Sequence, residues 1–121
     1  MKTSNETANV EIDLTYLNEI TGGDQDFIES IIATYVTDVP NVIDRLATAC
    51  ANADWWEVGQ AAHQLKPSLQ FVGLNETLVR TKTVEQYCKQ NNNLTLVPEL
   101  VNSVLHDVQA SITTLQQQFS I

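Results

Sequence analysis

Apolar residues recur at intervals of three and four along most of the chain, and this spacing predicts α-helices. No stretch shows the strict apolar and polar alternation of a half-buried strand. The pattern divides into one short helix near the N-terminus and four longer helices. We therefore predict an all-α protein, an antiparallel four-helix bundle with a short additional helix at its N-terminus.

End signals mark the first two predicted helices. Asp13 can cap a short helix that ends at Thr21-Gly22-Gly23, and Asp24 can cap a long one. The apolar spacing of the long helix continues through Pro40 without a change of phase. We expect one helix kinked at Pro40; a break, with Pro40 as the first residue of a new helix, is the alternative. The predicted apolar positions of the long helix are Phe27, Ile28, Ile31, Ile32, Tyr35, Val39, Val42, Ile43, Leu46 and Cys50.

The third predicted helix, Trp55 to Val72, has two clearly different faces. Asp54 followed by Glu57 resembles a capping box at its start. At about 100° per residue, its apolar stripe consists of Val58, Ala62, Leu65, Leu69 and Val72. His63 points about 140° away from the centre of that stripe, toward solvent. The residues on the side of His63 are Gly59, Lys66, Pro67 and Gln70.

The last two helices are bounded by glycine, asparagine and proline. Gly73 ends the third helix, Asn75 can cap the fourth, and Asn91-Asn92-Asn93 ends it before Pro98 opens the last helix. Predicted apolar positions of the fourth helix are Leu74, Leu78, Val84, Tyr87 and Cys88. Those of the last are Val101, Val104, Leu105, Val108, Ile112, Leu115 and Phe119. His106 lies off this last stripe, and we interpret it as a plain surface residue.

Length and charge limit the classes of function. The 121 residues are expected to form a flexible segment, 1–10, and a single helical bundle domain, 11–121. The net charge of -9 argues against nucleic acid or an anionic membrane as the main partner, and it suits a small monomer. No apolar run approaches the ~20 residues of a membrane span, and the polar start lacks a signal-peptide pattern. We expect a cytoplasmic protein.

The sequence offers no cofactor or metal motif of its own. Cys50 and Cys88 are far apart among apolar residues, and we expect free thiols rather than a disulfide. Two cysteines and two histidines at unrelated spacings give no zinc motif, and no acidic cluster suggests Mg²⁺. Because no ATP-binding or Gly-rich phosphate loop is present, we expect neither a kinase nor a phosphatase.

His63 and Lys66 are the candidate chemistry. An imidazole in open water is mostly neutral and nucleophilic at pH 7, and a cation three residues along a helix is a surface neighbour. This spacing alone is a weak signal, since a histidine on a helix surface is usually just a solvated polar residue.

The longer motif adds a resemblance. His63, Leu65, Lys66, Ser68 and Gly73 read His-x-Leu-Lys-x-Ser-x-x-x-x-Gly. This motif resembles the signature of histidine-containing phosphotransfer (HPt) domains, which are helical bundles that relay a phosphoryl group between response-regulator receiver domains.

The resemblance extends over most of the chain. Thr21-Gly22-Gly23-Asp24 resembles the family's early turn, and Pro40 with Leu46 to Asp54 resembles its second helix and the next turn. Val84-Glu85 resembles a Leu-Glu pair in the following helix. The resemblance implies His63 as the phosphoryl acceptor and a receiver domain, a hybrid histidine kinase or both as partners. Mg²⁺ and the acceptor Asp would belong to the receiver.

The resemblance also implies roles for neighbouring residues. Lys66 would offset the added negative charge, and Gly59 would leave space beside the ring for an incoming loop. Gln70 can donate a hydrogen bond to the partner. Glu85 either holds the other ring nitrogen or is an exposed helix charge, and both interpretations stay open. Lys82 and Lys89 share its side of the helix, where they either add local positive charge or belong to a solvated face, and the solvated face is favoured.

The docking surface would surround His63 on the second and third helices. Trp56 falls about 20° from the direction of His63. It either packs against a neighbouring helix or provides an aromatic contact for a docking protein.

Pro67 stands where the family usually has glycine, and Leu69 where it usually has a small residue. Because Pro67 removes the helical bond to the carbonyl of His63 and projects toward an approaching partner, it supports an alternative function. In that alternative, the bundle docks a receiver without accepting phosphate.

Overall fold

The computed structural model describes residues 10–121, which are predominantly helical. The helices are α1 (Thr15–Thr21), α2 (Gln25–Ala51), α3 (Trp55–Phe71), α4 (Asn75–Gln90) and α5 (Val97–Phe119). A 3-10 turn, Leu94–Leu96, precedes α5 and was not predicted. No strand occurs between residues 10 and 121. The prediction of an all-α bundle with a short N-terminal helix is confirmed, and the predicted flexible segment lies outside the described residues except for Val10.

Helices α2 to α5 form the bundle. Each of α2 and α4 packs against both α3 and α5, so that α3 and α5 lie on a diagonal, while α1 packs on α2 and α3. Short turns join successive helices, which favours antiparallel neighbours. No helix in residues 10–121 is both long and apolar enough to span a membrane.

Helix α2 continues through Pro40, so the prediction of one helix rather than a break is confirmed. Its buried positions are Ile28, Ile32, Tyr35, Val39, Ile43, Leu46 and Ala49. The prediction of Phe27 as an apolar-face residue is wrong: Phe27 is 51% exposed because it is rotated about 100° from Ile28, the buried residue of the same turn. Inside the core, the Tyr35 hydroxyl and the Ser111 hydroxyl share a hydrogen bond of 2.7 Å, which satisfies both buried groups.

Side chains cap some helices as predicted and others differently. The Asp24 carboxylate accepts the N–H of Phe27 at 3.2 Å, as expected of a cap. Asp54 likewise accepts the N–H of Glu57 at 3.2 Å, but the reciprocal half of a capping box is absent. The Asp54 N–H instead donates to the carbonyl of Ala49 at 2.9 Å. The Glu57 carboxylate forms an ion pair with Arg45 of α2 instead.

Two further capping predictions are corrected. Asn75 is the first residue of α4 rather than its cap, and the cap position is taken by Leu74, which has no polar side chain to accept an N–H. Asp13 stands one residue before the cap position of α1, which Leu14 occupies. Its carboxylate still accepts the N–H of Thr15 at 3.0 Å.

Gly73 ends α3 as predicted and also lets the N-terminal segment cross. Its φ of +70° is a conformation that glycine adopts without strain, and the N–H of Leu74 returns to the carbonyl of Leu69 at 3.0 Å. A Cβ at Gly73 would lie 1.9 Å from the carbonyl oxygen of Asp13. Because the N–H of Asp13 also donates to the carbonyl of Val72 at 3.1 Å, the segment before α1 is held against the end of α3.

The apolar stripe predicted for α3 is fully buried, with Ala61 added to it. Pro67 lies inside α3 without ending it. The opposite face of this helix is therefore fixed toward solvent.

Candidate functional site

A row of exposed side chains runs along the outer face of α3. Trp56, Pro67 and Gln70 all point within about 40° of the direction of His63. The side chain of His63 is 68% exposed, and Trp56 is 72% exposed. Trp56 therefore does not pack against a neighbouring helix, and its role in docking stays a prediction. Trp56 and Gln70 each lie about 10 Å along the axis from His63, so neither contacts its ring.

Helix α4 brings a carboxylate to His63. Glu85 Oε2 lies 2.6 Å from His63 Nδ1, and Glu85 Oε1 lies 2.6 Å from Lys66 Nζ. Both oxygens of one carboxylate are therefore used, one by the imidazole and one by the ammonium group. The three side chains form the His63–Glu85–Lys66 cluster, and the interpretation of Glu85 as an exposed helix charge does not fit, since its side chain is only 20% exposed.

The cluster fixes which ring nitrogen is available. An ionised carboxylate can only accept hydrogen bonds, so Nδ1 of His63 carries the proton and donates it to Glu85. The lone pair is then on Nε2, on the side of the ring away from Glu85. Burial by itself raises the pKa of Glu85, but the hydrogen bonds from Lys66 and His63 outweigh it and hold that pKa below its usual value. Glu85 is therefore a stable anion at neutral pH.

Gly59 allows α3 and α4 to pack closely beside this cluster. It lies one turn before His63, and a Cβ there would stand 3.3 Å from Cβ of Cys88 on α4. The space that its missing side chain leaves on this side is therefore bordered by α4. The sequence suggested instead that this space would receive the loop of a partner.

The other side of α3 carries a second polar group. Arg45 of α2 pairs with Glu57, and its Nη1 donates to Oε1 of Gln64 at 2.5 Å. Arg45 was not among the predicted site residues. The available signal was that Arg45 is the single basic residue of α2. Because Gln64 follows His63 directly, Arg45 orients the surface next to the imidazole on the α2 side.

Gln70 lies apart from the cluster, at the end of α3. It borders a shallow groove together with Asp13, Thr15, Tyr16 and Glu19 from the N-terminal segment and α1. Helix α1 therefore borders one end of the docking surface predicted on the second and third helices, and Glu85 of α4 borders its flank.

No metal site forms among the described residues. No group of three or more His, Cys, Asp or Glu side chains in residues 10–121 is arranged to hold a metal ion. Cys50 and Cys88 are free, as predicted, and half-buried. Burial, with a smaller effect of Cys50, raises the pKa of Cys88 to about 11, so this thiol is a poor ligand and nucleophile at pH 7.

The arrangement suits nucleophilic chemistry on an anionic substrate. The ring presents one nitrogen to solvent, the carboxylate holds the other nitrogen, and the ammonium group lies beside both. A dianion arriving at Nε2 would meet Lys66 as its nearest fixed cation.

Comparisons with known proteins agree with this geometry. The family model described as Hpt domain matches residues 30–118, which is most of the chain. The matched span begins in α2, ends in α5 and includes the whole cluster. Searches among curated proteins and among solved structures gave no match.

Proposed function

Because the chain belongs to the Hpt domain family, whose members carry phosphoryl groups in two-component signalling, we propose that His63 is its phosphoryl acceptor. The donor is either the aspartyl phosphate of a response-regulator receiver domain or a histidine kinase. The acceptor is another receiver domain. The observation that supports this proposal best is the bond from Nδ1 to Glu85, since it leaves Nε2 free to attack.

The transfer step follows from this tautomer. The lone pair of Nε2 attacks phosphorus, a P–N bond forms, and the P–O bond to the partner's aspartate breaks with its electrons going to that carboxylate. The ring becomes cationic while Nδ1 keeps its proton, and the Glu85 carboxylate stabilises that charge. Lys66 moves its ammonium group between Glu85 and the phosphoryl oxygens. The reverse attack by another aspartate returns the neutral ring.

The remaining predicted residues are assigned to docking. Trp56 supplies an exposed aromatic contact, Gln70 a hydrogen-bond donor, and Pro67 the shape of the surface beside the ring. Gly59 contributes through the close packing of α4. Mg²⁺ belongs to the receiver, and the chain itself acts as a cytoplasmic, monomeric carrier and not as an enzyme with its own ATP or metal site.

A phosphotransfer assay tests the proposal. Receiver domains from the same organism, phosphorylated with radioactive phosphate, are mixed with the wild-type chain and with His63→Gln. We expect an acid-labile, alkali-stable label on the wild type and none on the variant. His106→Gln is the matched control, because it removes the other exposed imidazole and should label fully. A label that persists in His63→Gln, with helical circular dichroism unchanged, would contradict the proposal.

Pro67 supports a second candidate function. Its exposed ring lies beside His63 where the family usually has glycine, so a receiver could dock without reaching Nε2. The bundle would then be a docking module that never accepts phosphate. This candidate predicts receiver binding that is insensitive to His63→Gln and no label from any donor.

A further inference from the structure

The described part of this acidic chain places its unpaired cations on one side of the bundle. Against a net charge of -9, Lys and Arg total 6 in the whole sequence, and Lys2 lies outside the described residues. Three of the others form ion pairs between helices: Arg45 with Glu57, Lys66 with Glu85, and Arg80 with Asp107. The remaining two, Lys82 and Lys89, are exposed and form no ion pair with any residue from 10 to 121.

Helix geometry places these two lysines beside the cluster. Around α4, Glu85 faces α3 and Arg80 faces α5, as their contacts show. Lys82 is rotated about 60° and Lys89 about 40° from Glu85, while Arg80 is about 140° away in the opposite sense. Both lysines therefore lie on the outer edge of α4 on its α3 side, away from α5.

The two lysines are close to Glu85 along the axis of α4. Along the axis of α4, Lys82 is about 4.5 Å before Glu85, and Lys89 is about 6 Å after it. Both lysines therefore lie about one helical turn from the residue that contacts the ring, and their charges add to that of Lys66 for an anionic surface approaching Nε2.

The α2 side of the site has the opposite character. On this side, Asp38 is exposed and points within about 20° of Arg45, and the single cation of the helix is already paired with Glu57. An acidic partner therefore meets an exposed carboxylate on the α2 side and two exposed lysines on the α4 side.

We propose that Lys82 and Lys89 form an electrostatic docking edge that steers an acidic protein surface onto His63 from the α4 side. This proposal rests on the proposed function and names the partner surface as the carboxylate-bearing face of a receiver domain. It also shifts the docking surface, which the sequence placed on the second and third helices, toward α3 and α4.

Paired variants of equal net charge test the edge. Lys82→Gln/Lys89→Gln and the control Asn102→Asp/Gln109→Glu each change the net charge by -2. Both control residues are exposed on α5, diagonal to α3. The probe is a receiver domain that labels the wild-type chain when it is phosphorylated; it is used unphosphorylated for the association rate constant and phosphorylated for transfer. Its association rate constant and the kcat/KM of transfer are measured at about 50 mM and about 500 mM salt.

We expect the lysine variant to lower both rates by about 3–10-fold at low salt, with the difference lost at high salt and kcat unchanged. The control should stay within about twofold of wild type. Equal losses in the two variants would assign the effect to net charge, and wild-type rates in the lysine variant would exclude steering; either result overturns the inference. The proposed function survives both outcomes, since it fails only if His63 takes no label.

Discussion

Two histidines of this chain are similarly exposed, and each has a carboxylate and a cation nearby. His63 is 68% exposed and His106 is 62% exposed. At the contact of α3 with α4, both oxygens of Glu85 are used by side chains of α3, the imidazole at 2.6 Å and Lys66 at 2.6 Å. The carboxylate therefore orients the ring.

At the contact of α4 with α5, the corresponding groups are connected differently. Asp107 Oδ2 accepts from Arg80 and, at 3.1 Å, from the hydroxyl of Thr77, and both donors belong to α4. Nδ1 of His106 is 3.4 Å from the other oxygen, which is too long for a good hydrogen bond. This carboxylate therefore holds two helices together and orients its imidazole only weakly.

The difference comes from where each carboxylate originates. Glu85 reaches His63 from another helix, so bundle packing fixes the geometry of the pair. Asp107 follows His106 directly on one helix, and adjacent positions on a helix do not face each other. An imidazole, a carboxylate and a cation thus give an oriented nucleophile in one region and a helix–helix contact in the other.

Removing each carboxylate should separate the two regions most strongly. We expect Glu85→Ala to slow phosphoryl transfer by about 10–100-fold, since the ring loses the group that orients it, with less than about 1 kcal/mol change in the free energy of unfolding. Asp107→Ala should lower that free energy by about 2 kcal/mol and leave transfer unchanged. Single-turnover transfer and urea unfolding followed by circular dichroism measure both. Loss of the same property in both variants, transfer or stability, would contradict the distinction between the two regions.

Removing the cation of each region should distinguish the two regions in the same way, with smaller effects. Lys66→Gln is expected to slow transfer by about tenfold, because the incoming phosphoryl oxygens lose their nearest ammonium group. Arg80→Gln should leave transfer intact and lower the free energy of unfolding by about 1–2 kcal/mol. The same two assays apply, and a slow Arg80→Gln variant would mean that α4 transmits strain to the cluster.

A pH series sharpens the difference further. Because its folded-state pKa is depressed, Glu85 contributes stability that is present above its unfolded value near 4.5. That contribution is lost as pH falls through the lower folded value. The excess stability of wild type over Glu85→Gln should therefore be largest above about pH 5 and shrink in acid. Urea midpoints between pH 6 and pH 3 measure it, and an excess that grows in acid would reverse the assignment.

The smallest effect is expected at the second imidazole. His106→Gln should change the free energy of unfolding by less than about 0.5 kcal/mol, because an exposed ring with one long contact contributes little. Thermal unfolding of this variant beside wild type measures the difference. A clear loss of stability would mean that His106 supports the pairing of Asp107 with Arg80.

The fold followed closely from the sequence because helix spacing is a local signal. All five positions of the α3 stripe are buried, and α2 continues through Pro40. The buried side of α4 was harder to predict from the sequence, because Thr77 and Thr81 take core positions that hydropathy assigns to solvent. Their hydroxyls accept burial because each has a hydrogen-bond acceptor, Asp107 for Thr77 and its own helix for Thr81.

The site was predictable in its components and less so in its connections. Spacing along α3 placed Lys66 beside His63, and the resemblance brought Glu85 to the ring. The connections depend on the separation and rotation of packed helices. These connections are the contacts of one carboxylate with both groups and the hydrogen bond from Arg45 to Gln64. Sequence periodicity reports which face of a helix is buried. It does not report how far apart two helices lie.

That separation depends partly on a residue with no chemistry of its own. Where α3 passes Cys88, the hydrogen atom of Gly59 stands in place of a methyl group, and the helices approach accordingly. A carboxylate on a two-carbon arm can then span from one helix to two groups on the next. A bulkier side chain at this position would push α3 and α4 apart and lengthen the contacts of Glu85 one turn away. The imidazole would then be less well oriented, although the new side chain does not contact it.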